Sequence, residues 1–221
     1  MGILSALLIP IWVIWFTIAF FAWYPTLGQW SGIQAYANSF QAAPFLLWTT
    51  PCFLLAMTFI VFMVSVYNYA SEEKKGFGLL GVAFAIVYGA ILGTHYYLQT
   101  FVVPQIIITG KTNSSALDGM SLLVLGSPNS LFGGIEAFGY GIMGISMLLA
   151  AGVFAGNDRI NKVVRGIFIL NGIQIISFFT PLSANIVVAS IVALVIWVIT
   201  LPVAAILIAV LFGKQSRHEQ R

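Results

Sequence analysis

Apolar residues run almost unbroken along the chain, and short polar stretches cut them into lengths that match a bilayer. A helix rises about 1.5 Å per residue, so roughly 20 apolar residues cross the ~30 Å hydrocarbon layer. That pattern predicts six spans, at about 3–23, 44–69, 77–103, 128–155, 163–180 and 183–212. The expected fold is all-α: a polytopic integral membrane protein with one six-transmembrane-helix bundle over residues 1–213 and a polar tail over 214–221.

The interruptions refine the spans. No Lys or Arg precedes the first run, so it reads as a retained helix rather than a signal peptide, with Pro10 a tolerated kink. Residues 24–43 are polar but uncharged. Trp23, Tyr24, Trp30, Tyr36 and Trp48 in or beside them suit an aromatic belt at the membrane boundary. Pro44 fits the first turn of the second helix. The third run stays apolar to Ile108, which as one helix would be roughly 48 Å long. It is therefore expected to tilt, or to bend at Pro104. Residues 120–126 are too short to span and read as interfacial or re-entrant. Ser127-Pro128 reads as the start of the fourth helix and Ser183 as the cap of the sixth, which Pro202 should kink.

Composition supports this reading. Hydrophobic residues make up 60% of the 221 and charged ones 7%, with a mean hydropathy of +1.02. Soluble domains carry about 25% charged residues, and 7% could not cover the surface of one. Eight of the nine basic residues (Lys74, Lys75, Arg159, Lys162, Arg165, Lys214, Arg217 and Arg221) fall in alternate loops and the tail, leaving Lys111 alone on the other side. The positive-inside rule then places both termini in the cytoplasm of a multi-pass cell-membrane protein. The net charge of +3 forms no basic stripe, so nucleic acid is not an expected partner. Cys52 is the only cysteine, which excludes an intrachain disulfide and a cysteine-based metal set.

Tyrosines and Cys52 aside, two ionisable side chains fall inside the spans, His95 and Glu136. Such groups are costly in hydrocarbon and normally face other helices or water. Tyr88, His95 and Gln99 share one face of the third helix. Gly133, Glu136, Ala137, Tyr140 and Gly144 share one face of the fourth, with Leu131, Ile135, Phe138, Ile142 and Leu149 opposite. The small residues mark a packing face and the bulky ones a lipid face. Both polar residues fall in the outer half, so His95 and Glu136 are expected within hydrogen-bond reach. Asn171 and Gln174 share a face of the fifth helix, as interhelical partners or as part of a transport path. One His and one Glu are too few for a metal site, and no hydrolase elbow, paired membrane aspartates, retinal lysine or bis-histidine haem pair occurs. No cofactor and no catalytic residue is expected.

His95-Tyr-Tyr-Leu-Gln99, Phe132-Gly-Gly-Ile-Glu136-Ala-Phe-Gly-Tyr140 and Arg165-Gly-Ile-Phe-Ile-Leu-Asn171-Gly172 resemble segments of uncharacterised prokaryotic multi-pass membrane proteins. The resemblance covers about the middle third of the chain. It implies a membrane location, and a role for Glu136 and Asn171, but no activity.

The functional reading is a non-enzymatic membrane protein with a polar pocket around His95 and Glu136. The candidate ligand-binding or proton-coupling residues are His95, Glu136, Gln99, Tyr88, Tyr140, Asn171 and Gln174. The expected partners are the lipid bilayer, a small amphipathic ligand, and other subunits in a homo- or hetero-oligomer. A proton-coupled transporter and an intramembrane enzyme are the alternatives, and buried polar groups serving only as interhelical glue would account for the same residues.

Overall fold

The computed structural model describes residues 1–23, 30–125, 127–128, 130–182 and 184–219. The Tyr24 end of the aromatic loop, the Ser183 cap and Arg221 lie outside them. The described residues are helical or irregular, with no strand among them. Helix α1 covers Gly2–Trp23, α2 Ile33–Ser39, α3 Ala42–Tyr69, α4 Lys75–Tyr97, α5 Val103–Gly110, α6 Leu131–Ala150, α7 Arg159–Asn171 and α8 Ala184–Glu219. A π-helical turn, Leu98–Val102, joins α4 to α5, and a 3-10 segment, Gly172–Leu182, prolongs α7.

Six segments are long and apolar enough to cross a membrane: Gly2–Ala22, Ala42–Tyr69, Glu72–Gly110, Leu131–Phe154, Arg159–Phe179 and Ile191–Arg217. They form a ring. α1 packs on α3, α3 on α4, α4 on α6, α6 on the α7 segment, and α8 on both α7 and α1. Glycines let the helices approach closely. A Cβ at Gly89 would meet Ile60 and the carbonyl of Ala56 on α3, and one at Gly81 would meet Ala150 on α6. Ser146 Oγ donates to the carbonyl of Gly81 at 2.7 Å across the same contact.

The charged loops gather at one end. Met1, Ser65, Tyr69, Phe212 and Gln215 border one groove there, and Asp158, Asn161 and Lys214 border the next. Lys74 Nζ joins them by donating to the carbonyl of Ala155. At the opposite end Lys111 Nζ donates to the carbonyl of Phe40 at 2.9 Å. There Tyr36 on α2 lies between Trp30 and Phe40, each at 5.8 Å between ring centres. Burial pushes the Tyr36 hydroxyl above its ordinary pKa.

Several boundaries differ from the sequence expectation. Helix α6 starts at Leu131 rather than 128. Ser130 is its cap, its Oγ accepting from Gly133 N–H at 3.1 Å. Ser127-Pro128 instead opens a turn closed by Ser130 N–H on the Ser127 carbonyl, with proline in the favoured second position. Helix α7 begins at Arg159, ahead of the expected 163, because Asp158 accepts from the N–H groups of Ile160 and Asn161. The tail after residue 213 stays helical to Glu219, since Lys, Gln and Arg are good helix formers. The third span neither stays straight nor simply breaks at Pro104. Proline has no N–H for the carbonyl four residues back and its ring crowds that carbonyl. The helix widens just before it, and Val103 N–H bonds Leu98 O, five residues back.

Candidate functional site

Helix α6 is the most enclosed span. From Gly139 to Gly144 every residue is buried, Ile142 included, at 7% exposure. The division into a packing and a lipid face therefore fails for Ile142. α6 has neighbours on both sides in the ring, and past Phe138 its outward strip is reduced to Leu148, with Ile145 and Leu149 half-buried. The small-residue face also shifts. Gly144 lies against Gln174 and the backbone of Ile175, and Gly139 against Leu92, but a Cβ at Gly133 would meet only its own cap, Ser130. Gly133 and Ala137 are half-buried, as is Glu136 between them.

Glu136 is held by Tyr96, not by His95. Tyr96 Oη donates to Glu136 Oε1 at 2.5 Å and lies 3.3 Å from Tyr140 Oη. Tyr96 is 1% exposed and sits among aromatic rings. Trp48 meets it edge-on at 6.4 Å, and Tyr140 meets Trp197 at 5.6 Å. The Cys52 thiol is buried beside it. Residues from α3, α4, α6 and α8 thus converge inside the ring on one carboxylate. Among the described residues no Lys, Arg or His lies within ion-pair distance of Glu136, and the ion pair found is Lys75–Glu72 at 3.0 Å, near one end of the bundle.

The expected His95–Glu136 pair is not made. His95 is 1% exposed, and neither ring nitrogen has a hydrogen-bond partner among the described residues. Its ring packs edge-on against Phe132 at 5.1 Å and Tyr96 at 4.7 Å. The reason is rotational. Consecutive helix positions differ by about 100°, so only one of His95 and Tyr96 can point at Glu136. Gln99, one turn beyond His95, sends Nε2 to the carbonyl of Leu123 at 2.8 Å. The apolar stretch expected to be interfacial or re-entrant folds back here. Met120, Val124 and Leu125 are buried over the end of the third span.

The other candidates fall into separate places. Tyr88 is buried two turns below Tyr96 and packs on Phe59 at 5.1 Å. Asn171 Nδ2 donates to Thr200 Oγ1 on α8 and to the carbonyl of Ile167, both at 2.9 Å. Gln174 Nε2 donates to the carbonyl of Ala193, also on α8. These amides tie the fifth and sixth spans together, apart from Glu136. Tyr96 is the residue that sequence reasoning passed over. Its signal was its place eight residues after Tyr88 and four before Thr100, the flank of the face already chosen.

The arrangement offers a half-buried glutamate with one carboxylate oxygen held by a phenol, and aromatic walls. Among the described residues no group of three or more His, Cys, Asp or Glu side chains converges to hold a metal ion. No family model matches the chain, and neither the curated proteins nor the solved structures give a match.

Proposed function

We propose that this is a non-enzymatic cell-membrane protein, both termini cytoplasmic, which binds the polar head of a small amphipathic molecule at Glu136. The observation that carries the reading is the half-buried Glu136, its carboxylate held at one oxygen by Tyr96 and, among the described residues, without a basic partner. Its remaining acceptor capacity suits an amine or another N–H donor, and hydrogen bonds to an ionised partner are the stronger kind. The rings of Tyr96, Tyr140 and Trp197 suit a cationic head as well. A molecule that reaches a site among six apolar helices must itself tolerate hydrocarbon, which favours an apolar tail behind that head.

The test uses the protein in nanodiscs, with dodecylamine as probe and dodecyl sulfonate as the anionic control. The amine should bind and the sulfonate should not. Glu136→Gln should weaken amine binding at least tenfold, equivalent to ~1.4 kcal/mol. Equal affinity in wild type and Glu136→Gln would refute the assignment. A proton-coupled transporter is the second reading, favoured by the same absence of a basic partner. It requires a pH gradient to drive solute uptake into proteoliposomes, with Glu136→Gln abolishing that uptake.

A further inference from the structure

Beside the Tyr96–Glu136 pair lies a second group of polar atoms that the amine-binding reading does not use. Among the described residues, His95 Nδ1 and Nε2, Gln99 Oε1 and Thr100 Oγ1 are all buried without a hydrogen-bond partner. The three residues are 1%, 0% and 3% exposed. Native proteins rarely leave such atoms unpaired, and one common resolution is an internal water. Here four orphaned atoms lie within six consecutive residues, where the helix widens into the π-turn Leu98–Val102. Isolated π-turns inside helices occur often at functional sites.

The donor and acceptor balance indicates the guest. A neutral imidazole offers one N–H and one bare nitrogen, a glutamine Oε1 only accepts, and a threonine hydroxyl does both. A partner must therefore supply donors to His95 and Gln99 and acceptors to His95 and Thr100. Water has two of each. An anion could not satisfy Gln99 Oε1, and a metal ion would find a single imidazole as its only strong ligand. Gln99 already reaches the Leu123 carbonyl, and His95 packs against Phe132. The 120–125 segment and the start of α6 thus lie against these side chains, through Leu123 and Phe132.

We infer that His95, Gln99 and Thr100 form a buried hydration site, holding ordered water inside the membrane-spanning bundle next to Tyr96. The site goes beyond amine binding at Glu136 and stands whether or not an amine binds there. It places exchangeable water one ring contact from the phenol that holds the carboxylate.

Millisecond X-ray radiolysis of the full chain in nanodiscs tests it, because bound water generates hydroxyl radicals in place. Phe132 is 6% exposed, Phe16 is 7% exposed and Phe59 is 0% exposed, so burial alone predicts little labelling of any of them. Hydration predicts oxidation of Phe132 several-fold faster than of Phe16 or Phe59. Gln99→Leu and His95→Phe should each return Phe132 towards the Phe16 rate. The wild-type comparison stands even where a variant fails to fold. Labelling of Phe132 no faster than of Phe16 would overturn the inference. So would a small solute seen as added mass by native mass spectrometry and lost in His95→Phe, since water would then not be the occupant.

Discussion

Replacing Gly144 by alanine separates packing from helix propensity, because α6 carries its own control. A Cβ at Gly144 would sit 2.9 Å from Gln174 Cβ, 3.1 Å from Ile175 N and 3.3 Å from Asn171 O. Two of those atoms are backbone and cannot swing aside. A Cβ at Gly134, ten residues earlier on α6, would meet nothing within 4 Å. Both substitutions gain about 1 kcal/mol from replacing a helical glycine. Only Gly144→Ala adds the overpacking term, about 1–3 kcal/mol. Gly134→Ala should therefore be up to about 1 kcal/mol more stable than wild type, with Gly144→Ala about 1–3 kcal/mol below Gly134→Ala. Gly139 and Gly141 would make poorer tests, because their nearest neighbours are the side chains of Leu92 and Phe178. Denaturant unfolding in a fixed micelle, followed by tryptophan fluorescence, measures the difference. Equal stability of the two variants would refute the close approach of α6 to the α7 segment.

Three further outcomes follow from the geometry. Tyr96→Phe and Glu136→Gln should couple more strongly in thermal stability than His95→Gln and Glu136→Gln, which are linked only through the Tyr96 ring; the reverse order would restore the His95–Glu136 pair. Ser130→Ala should lose about 1 kcal/mol through the N-cap of α6 while Ser127→Ala changes little, and equal losses by chemical denaturation would displace Ser130 as the cap. In intact cells an impermeant thiol reagent should label Ser114→Cys and spare Ser71→Cys, and the opposite pattern would invert the proposed orientation.

The spans, and the place of Glu136 within one of them, were legible because hydrocarbon imposes one simple demand on composition. The partner of Glu136 was not. His95 and Tyr96 are adjacent in sequence, and hydropathy draws attention to the more polar of them although the geometry favours the phenol. Assigning α6 one inner and one outer face assumes a helix with lipid along one side. Ile142 shows that assumption failing where neighbours flank the helix on both sides. The widening ahead of Pro104 escaped because a proline signals that a helix is disturbed, not whether it ends, bends or changes register. Amides are ordinary hydrogen-bond partners between membrane helices, which made the linking role of Asn171 and Gln174 legible, and both reach α8.

The π-turn also resets the angular phase of the third span. A single turn of wider pitch equals one residue inserted into an otherwise regular helix. The residues above it are rotated by about 100° relative to an uninterrupted α-helix. The third span is thus two helices with independent facings, joined by the π-turn. Below the turn, Gly81 and Gly89 face α6 and α3; above it, Ile107 is buried and Gly110 lies against Leu117. Deleting one residue between Leu98 and Val102 would restore a uniform pitch and leave the lower contacts in place. It would turn α5 away from its partners, carrying Lys111 off the Phe40 carbonyl and uncoupling α2 from the end of the span. The extra residue acts as an angular offset between a helix fitted to its neighbours in the membrane and a cap fitted to its loops.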